Sequence, residues 1–345
     1  LEEELVKKEG IPFFPIRAKG LERKISLSLI STMFVFLKGV KDSFIILRLE
    51  RPDIILGTGG YVTAPVLCAG LLRRIPIIIH EQNSIPGIVN KIFGRFAESI
   101  AVSFPDTEKY FPQKKKVVLT GNPVRKELFQ YKKEEAYDFF EFSPDIQTGV
   151  IFGGSRGSKS INQAVIESFQ QISRFRKLQI IHLTGKDDYE RVVEEIKKIP
   201  TKGEKLVYRC YPYFEKIGKA YSIADFILAR AGATTIAETT ALGIPSIFVP
   251  YPYASEGHQE KNARYLEKFG AGRVVLDKDL SGETLYEAIK SLAFNEAALS
   301  KMRKKSKEFG RLNAANEIAN LVLGLKASKE AINSYTGKSE EDISW

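Results

Sequence analysis

The sequence predicts an α/β protein made of two doubly wound parallel sheets facing across a cleft. Strand-like and helix-like segments alternate almost throughout, the pattern that parallel sheets with crossover helices produce. In each half a strand runs into a glycine turn: Gly57-Thr-Gly-Gly-Tyr61 in the first and Gly153-Gly-Ser-Arg-Gly157 in the second. Between the halves, Gly121-Asn-Pro-Val-Arg125 and the charged stretch Lys126 to Glu135 punctuate the chain, which places the hinge there. At 345 residues the chain is long enough for two domains, each with its own core.

The elements follow in order. Leu1 to Glu9 reads as helix and Ile11–Ile16 as a strand. A doubly wound domain normally opens on a strand and its glycine turn, so a first βα unit of about 40 residues is expected upstream of Leu1. Ile25 to Leu49 is helical and carries more apolar residues than one buried stripe requires. Ile30, Phe34 and Leu37 share a face with Lys41, Met33, Phe36 and Val40 lie beside it, and Lys24 and Lys38 flank the patch. Such a helix either dips into an anionic membrane surface or sits in the core with snorkelling lysines. The strands that complete the first half are Asp53–Leu56, Ile77–His80, Ser99–Val102 and Val117–Leu119. The 19 uncharged residues Ile54 to Leu72 approach a membrane span in length. Gly57, Gly59, Gly60 and Pro65 make them a strand, a tight turn and a buried helix instead.

In the second half the strands are Gly149–Phe152, Leu178–Leu183, Leu206–Tyr208, Phe226–Leu228, Ser246–Val249 and Gly272–Val275. Helices Ile161–Phe169, Asp187–Ile199, Thr235–Leu242 and Gln259–Lys268 separate most of them. Lys326 to Trp345 is polar and expected to fray. The resulting division is 1–122, 123–312, and a C-terminal helix and polar tail over 313–345 that is expected to pack back on the first domain.

Composition narrows the function. The apolar content of 43% and charged content of 27% are those of an ordinary soluble globular protein. Two cysteines, Cys68 and Cys210, lie far apart, which excludes a disulfide framework and a Cys-rich zinc site. Three histidines, none at i, i+4 to another, leave no histidine-rich metal site. A net charge of +10 suits an anionic partner or an unused lysine surplus. Because the lysines are mixed with acids rather than interleaved with aromatics, nucleic acid is not expected.

Arg230-Ala-Gly-Ala-Thr-Thr-Ile-Ala-Glu238 carries the most chemical information. A strand breaks at Gly232, Thr234 and Thr235 are able to cap the helix that follows, and such a junction collects backbone donors and a positive dipole end suited to a diphosphate. Arg230 adds a charge and Glu238 an acceptor for sugar hydroxyls; the alternative is an ordinary βα turn. The two glycine turns also suit phosphates, although neither fits the dinucleotide fingerprint or the Walker A pattern. His80-Glu-Gln-Asn83 ends a strand at the carboxyl edge where open α/β sheets bind ligands, or fixes its own loop through an internal network. His258-Gln-Glu-Lys-Asn262 opens a helix after Pro250-Tyr-Pro-Tyr253, with Gln259 on the side of Glu238.

Together these segments resemble the MurG family of peptidoglycan N-acetylglucosaminyltransferases, GT-B enzymes of glycosyltransferase family 28. The match covers Gly57–Tyr61, His80–Asn83, Gly121–Arg125, Gly153–Gly157, Arg230–Glu238 and His258–Ala263, in the family's order and spacing up to about residue 323. The resemblance implies two Rossmann-like domains and an inverting, metal-independent, cofactor-free transfer of GlcNAc from UDP-GlcNAc to lipid I, giving lipid II. It implies donor contacts from Arg125, Ser155, Tyr213, Phe214, Arg230, Ala233, Thr234, Glu238 and Gln259. Acceptor contacts fall to Gly59, Gly60, Tyr61, Glu81 and Asn83, and a membrane-facing patch to Ile30, Phe34, Leu37 and Val40. A peripheral location on the cytoplasmic face of the bacterial plasma membrane follows, with an anionic membrane surface and cell-wall synthesis or division proteins as further partners.

The sequence departs from the family at its start and in the tail after about Leu323, which has no counterpart there. The family's first glycine-rich loop, which carries a histidine proposed as base, is expected upstream of Leu1, and Glu81 is the base candidate within this chain. Three alternatives remain: a GT-B transferase with another lipid acceptor, a UDP-GlcNAc 2-epimerase, and a non-catalytic UDP-sugar-binding fragment.

Overall fold

The computed structural model describes residues 2–20, 28–154, 156–175, 177–200 and 206–336, with backbone only at Glu2, 28–30 and 328–336. The chain divides into two compact units.

The first unit takes in Leu1–Gln82, Pro86–Thr120 and Asn316–Trp345. Helices α1 (Glu2–Lys8) and α2 (Ser28–Glu50) precede β1 (Ile55–Gly57), α3 (Thr63–Leu72), β2 (Ile77–Glu81), α4 (Ile88–Phe93), β3 (Ser99–Val102) and β4 (Val117–Leu119). The strands form one parallel sheet in the order β1-β2-β3-β4. Every residue of β2 and β3 is buried, as the continuous apolar run Ile77–Ile79 requires of a strand covered on both faces. Leu47 of α2, Leu67 of α3 and Phe111 close the core on Ile55, Ile77, Ile79 and Ile100.

Ile11–Ile16 is not a strand. Pro12 and Pro15 cannot donate to a ladder, and Ile11 and Phe14 stay exposed. The segment is instead pinned to α2: Arg17 donates to Asp42 from Nε at 2.7 Å and Nη2 at 2.5 Å. Gly39 leaves room for the Arg17 carbonyl, which any Cβ there would strike.

The second unit comprises Asn83–Ile85 and Gly121–Ala315. Its elements are α5 (Lys133–Phe140), β5 (Gln147–Phe152), α6 (Lys159–Ile172), β6 (Leu178–Leu183), α7 (Tyr189–Lys198), β7 (Val207–Tyr211), α8 (Ile217–Ser222), β8 (Phe226–Ala229), α9 (Ala233–Leu242), β9 (Ser246–Phe248), α10 (His258–Lys268), β10 (Arg273–Val274), α11 (Gly282–Ala293) and α12 (Glu296–Phe309). All its strands are parallel, in the order β10-β9-β8-β5-β6-β7. Successive strands thus run outward from β5 in both directions, and the crevice at the reversal lies beyond the carboxyl ends of β5 and β8. Alternating side chains feed two cores. Ile151, Ile180 and Leu228 pack with α6 and α11 on one face, and Val150, Ile181 and Ile227 pack with α5 and α8 on the other.

The charged stretch Lys126 to Glu135 folds into a 3-10 turn (Lys126–Phe129) and the start of α5. A final helix, α13 (Ala314–Thr336), counts with the first unit from Asn316 onward. There Lys326 pairs with Asp53 at 3.1 Å. Among the described residues no helix is long and apolar enough to cross a membrane.

Candidate functional site

At the reversal point of the second sheet lies a cavity of about 380 Å³, the size of a small-ligand pocket. Phe152 and Leu183 reach it from the ends of β5 and β6, Pro212, Tyr213 and Phe214 from the loop after β7, and Thr234, Thr235 and Glu238 from α9. Arg125, Gly154, Gly185, Glu215, Ile217 and Tyr221 complete the wall.

The cavity has three chemical surfaces. The first is cationic and rich in donors. Arg125 is more than half exposed. The N-cap of α9 is Gly232, and no side chain caps that end. Thr234 and Thr235 therefore do not cap the helix, contrary to expectation. They lie inside its first turn, because Gly232 already adopts the extended N-cap conformation (φ −64°, ψ 147°). The free N–H groups and dipole of that turn favour an anion. Gly154, with φ +93° and open space where a Cβ would stand, exposes its backbone to the same cavity. Ser155 lies outside the described residues.

The second surface is aromatic. Phe214 packs on the core beneath, within 5.8 Å of the Tyr211 ring, and Tyr213 is half exposed beside it.

The third surface is a buried carboxylate. Glu238 is 4% exposed. Its Oε1 accepts from Arg125 Nη2 at 3.1 Å and Nε at 3.3 Å, and its Oε2 from the Tyr221 hydroxyl at 3.4 Å. Burial raises its pKa, and the Arg125 charge and the two sets of hydrogen bonds oppose that rise. Burial also holds the Tyr221 hydroxyl well above its ordinary value, so Tyr221 stays a donor. The cavity thus joins a cationic, donor-rich end, aromatic side chains and a buried carboxylate.

The sequence expectations are distributed unevenly. Arg125, Tyr213, Phe214, Thr234 and Glu238 come together on this cavity. Arg230 does not line it. Its guanidinium bonds to Asp277, to the hydroxyls of Ser158 and Ser160, and to the carbonyls of Val249 and Pro250. Ala233 is the first residue of α9. Gln259 accepts from Tyr251 N through Oε1 at 2.9 Å, which leaves its amide NH₂ for other contacts.

Among the wall residues that the sequence reading missed are Leu183, Gly185, Pro212, Glu215, Ile217 and Tyr221. Gly185 had a legible signal, a glycine two residues after a buried strand; its φ is +86° and its backbone abuts that of Arg156. Tyr221 had none, because only the folded chain brings it to Glu238.

In the first unit, Gly59 and Gly60 adopt φ of +88° and +79°, and Tyr61 is exposed. Glu81 is 2% exposed, and its Oε2 accepts from Asn90 Nδ2 at 2.7 Å and Gly87 N at 3.1 Å. Gln82 donates to the Thr58 carbonyl at 2.9 Å, which ties the loop after β2 to the glycine turn. Asn83 counts with the second unit, where it accepts from Asn262 Nδ2 at 3.0 Å.

On α2, Phe34 and Leu37 are 62% and 56% exposed, with Met33, Ile45 and Leu49 also outward. Val40 is half-buried against the core of the unit, so it does not share the outward face. Ile30 lies in the helix, but its side chain is outside the described residues. Among the described residues no group of three or more His, Cys, Asp or Glu side chains is arranged to hold a metal ion.

Comparison with known proteins adds an independent line. The family model described as glycosyltransferase family 28 C-terminal domain matches residues 148–318, and the family 28 N-terminal domain matches 1–102. A relative from Thermoanaerobacter sp. (strain X514) is 43% identical over 322 residues, covering 93% of this chain and 88% of its own. It is named UDP-N-acetylglucosamine–N-acetylmuramyl-(pentapeptide) pyrophosphoryl-undecaprenol N-acetylglucosamine transferase. The crystal structure of Acinetobacter baumannii MurG superposes with a TM-score of 0.74 at 28% identity, covering 94% of this chain and 88% of that one. A UDP-GlcNAc 2-epimerase from Neisseria meningitidis, bound to UDP-GlcNAc, reaches 0.64 at 14% identity over 94% of this chain and 88% of that one, a likeness of fold alone.

Proposed function

This chain belongs to glycosyltransferase family 28, and from that premise we propose that it transfers GlcNAc from UDP-GlcNAc to the MurNAc 4-hydroxyl of lipid I, forming lipid II in peptidoglycan synthesis. The donor half rests on one observation above all, the cavity at the reversal point that joins Arg125, the uncapped end of α9 and buried Glu238.

The reaction is a single inverting displacement. The acceptor hydroxyl attacks the anomeric carbon as UDP departs, and the growing charge on the diphosphate needs fixed positive partners. Arg125 and the N–H groups of α9 and Gly154 supply them. Glu238 takes the ribose hydroxyls, Phe214 and Tyr213 the uracil, and the free amide NH₂ of Gln259 the GlcNAc hydroxyls. Ser155 and Arg230 are further donor-side residues in this assignment.

A base must accept the proton of the attacking hydroxyl. Glu81 is the candidate within this chain; its Oε2 already accepts from Asn90 and the Gly87 amide. Gly59, Gly60, Tyr61 and Asn83 fall on the acceptor side. Phe34 and Leu37 suit a peripheral protein at the anionic cytoplasmic face of the plasma membrane, where lipid I is held. Cell-wall synthesis or division proteins are the further partners implied.

Two measurements test the assignment. GlcNAc transfer to a lipid I analogue should exceed transfer to diacylglycerol; the reverse order would overturn the acceptor. Glu238→Ala should weaken UDP-GlcNAc binding in calorimetry by roughly 1–3 kcal/mol, the cost of removing buried polar contacts. Unchanged affinity would move the donor site elsewhere.

A further inference from the structure

The Arg230 guanidinium makes five hydrogen bonds, and the residue does not line the cavity. Its Nη1 donates to Asp277 Oδ1 at 2.5 Å and to the carbonyls of Val249 and Pro250, each at 3.2 Å. Its Nη2 donates to Ser158 Oγ at 2.6 Å and Ser160 Oγ at 2.9 Å. The side chain is 12% exposed, and its Cζ stands 5.5 Å from the Tyr251 ring centroid. Ser160 also donates to Asp277 Oδ1 at 2.6 Å, which closes the node.

The partners come from separate segments that adjoin the donor site. Ser158 is the N-cap of α6 and immediately follows the glycine turn Gly153–Gly157. Val249 to Tyr251 is the loop whose Tyr251 amide fixes the Gln259 side chain. Arg230 itself precedes the N-cap of α9. One planar fork thus sets the spacing between the diphosphate end of the site and the loop that presents Gln259. A lysine, with a single nitrogen, cannot hold the same five partners.

We propose that Arg230 is a positioning residue, locked by Asp277, that holds the phosphate turn and the sugar-facing loop in register and does not itself touch the donor. The proposal rests on the donor-site assignment above. It also makes Asp277 a functional residue, although a carboxylate has no favourable contact to offer a diphosphate.

That sign difference is the test. In the full chain, UDP-GlcNAc, UDP and uridine are titrated calorimetrically into wild type, Asp277→Asn and Arg230→Met, with a thermal melt of each. If Arg230 positions, Asp277→Asn weakens UDP-GlcNAc by about tenfold, UDP by less and uridine not at all. Arg230→Met then follows the same order, and the double variant adds little beyond either single one. If Arg230 binds the diphosphate directly, freeing it from Asp277 preserves or tightens UDP and UDP-GlcNAc binding, and the proposal is overturned. Should Arg230→Met fail to fold, the nearly isosteric Asp277→Asn decides alone. Wild type that does not bind UDP-GlcNAc would remove the donor-site assignment itself, a result distinct from a bound wild type with an indifferent Asp277→Asn.

Discussion

His182 shows how one buried side chain sets a pH limit on the fold. It is fully buried in β6, with Nε2 3.0 Å from Asn162 Oδ1 and Nδ1 2.6 Å from the Tyr208 hydroxyl. The Asn162 amide NH₂ is spent on the Thr184 carbonyl and Asp188. Its oxygen therefore faces the ring, so the proton sits on Nε2 and Nδ1 accepts from Tyr208. Burial lowers the His182 pKa to about 3, against partial support from Asp188. Between that value and the ordinary 6.5 the unfolded chain binds a proton that the folded chain refuses. Stability should therefore fall as pH drops through this window, by up to about 1.4 kcal/mol per pH unit. Glu238, whose pKa burial raises, acts in the opposite sense. Chemical denaturation at pH 7 and pH 5 checks this: wild type should lose more stability than His182→Gln, and equal losses would mean His182 is not the limiting group.

Elements were more legible in the sequence than the contacts between them. Each of the ten strands among the described residues overlaps a predicted one; the fully buried ones, such as β3 and β8, read as nearly unbroken apolar runs. The failure was Ile11–Ile16, apolar enough for a strand but without donors at its two prolines. Helix α2 shows the limit of periodicity. Its inward face is small and polar at Thr32, Gly39 and Ser43, while Phe34 and Leu37 point out. The sequence showed the apolar surplus; only the packing shows which residues of it are left over. Phe34→Asp should leave the melting temperature unchanged and reduce binding to anionic vesicles by roughly tenfold, the scale of one buried aromatic. Undiminished vesicle binding would reassign that face to another role.

At the scale of the whole molecule, each unit has its own sheet and its own core. Cavity residues are drawn from Arg125 to Glu238, all within the second unit. Calorimetric unfolding should therefore resolve two transitions, of which UDP-GlcNAc raises only one. At a hundredfold excess over its dissociation constant the shift corresponds to about 2.7 kcal/mol. A single transition, or two that move together, would show that the units unfold as one. The glycine turns, the α9 junction and the two-domain plan were readable from spacing alone. The Arg230 node was not, since Ser158, Val249 and Asp277 are far apart in sequence and meet only where β5, β8 and β9 lie side by side.

The strand order has a consequence for the order of synthesis. The strand made first in the second unit, β5, becomes its centre, and β6 and β7 are completed on one flank before β8 to β10 exist. That flank carries Phe152, Leu183 and Phe214, while Thr234 and Glu238 leave the ribosome only with the other. A nascent chain thus exposes an open edge on β5 for the whole interval in which the cavity is incomplete. On the proposed donor assignment, UDP-GlcNAc stabilises the finished domain and has nothing to hold during its assembly.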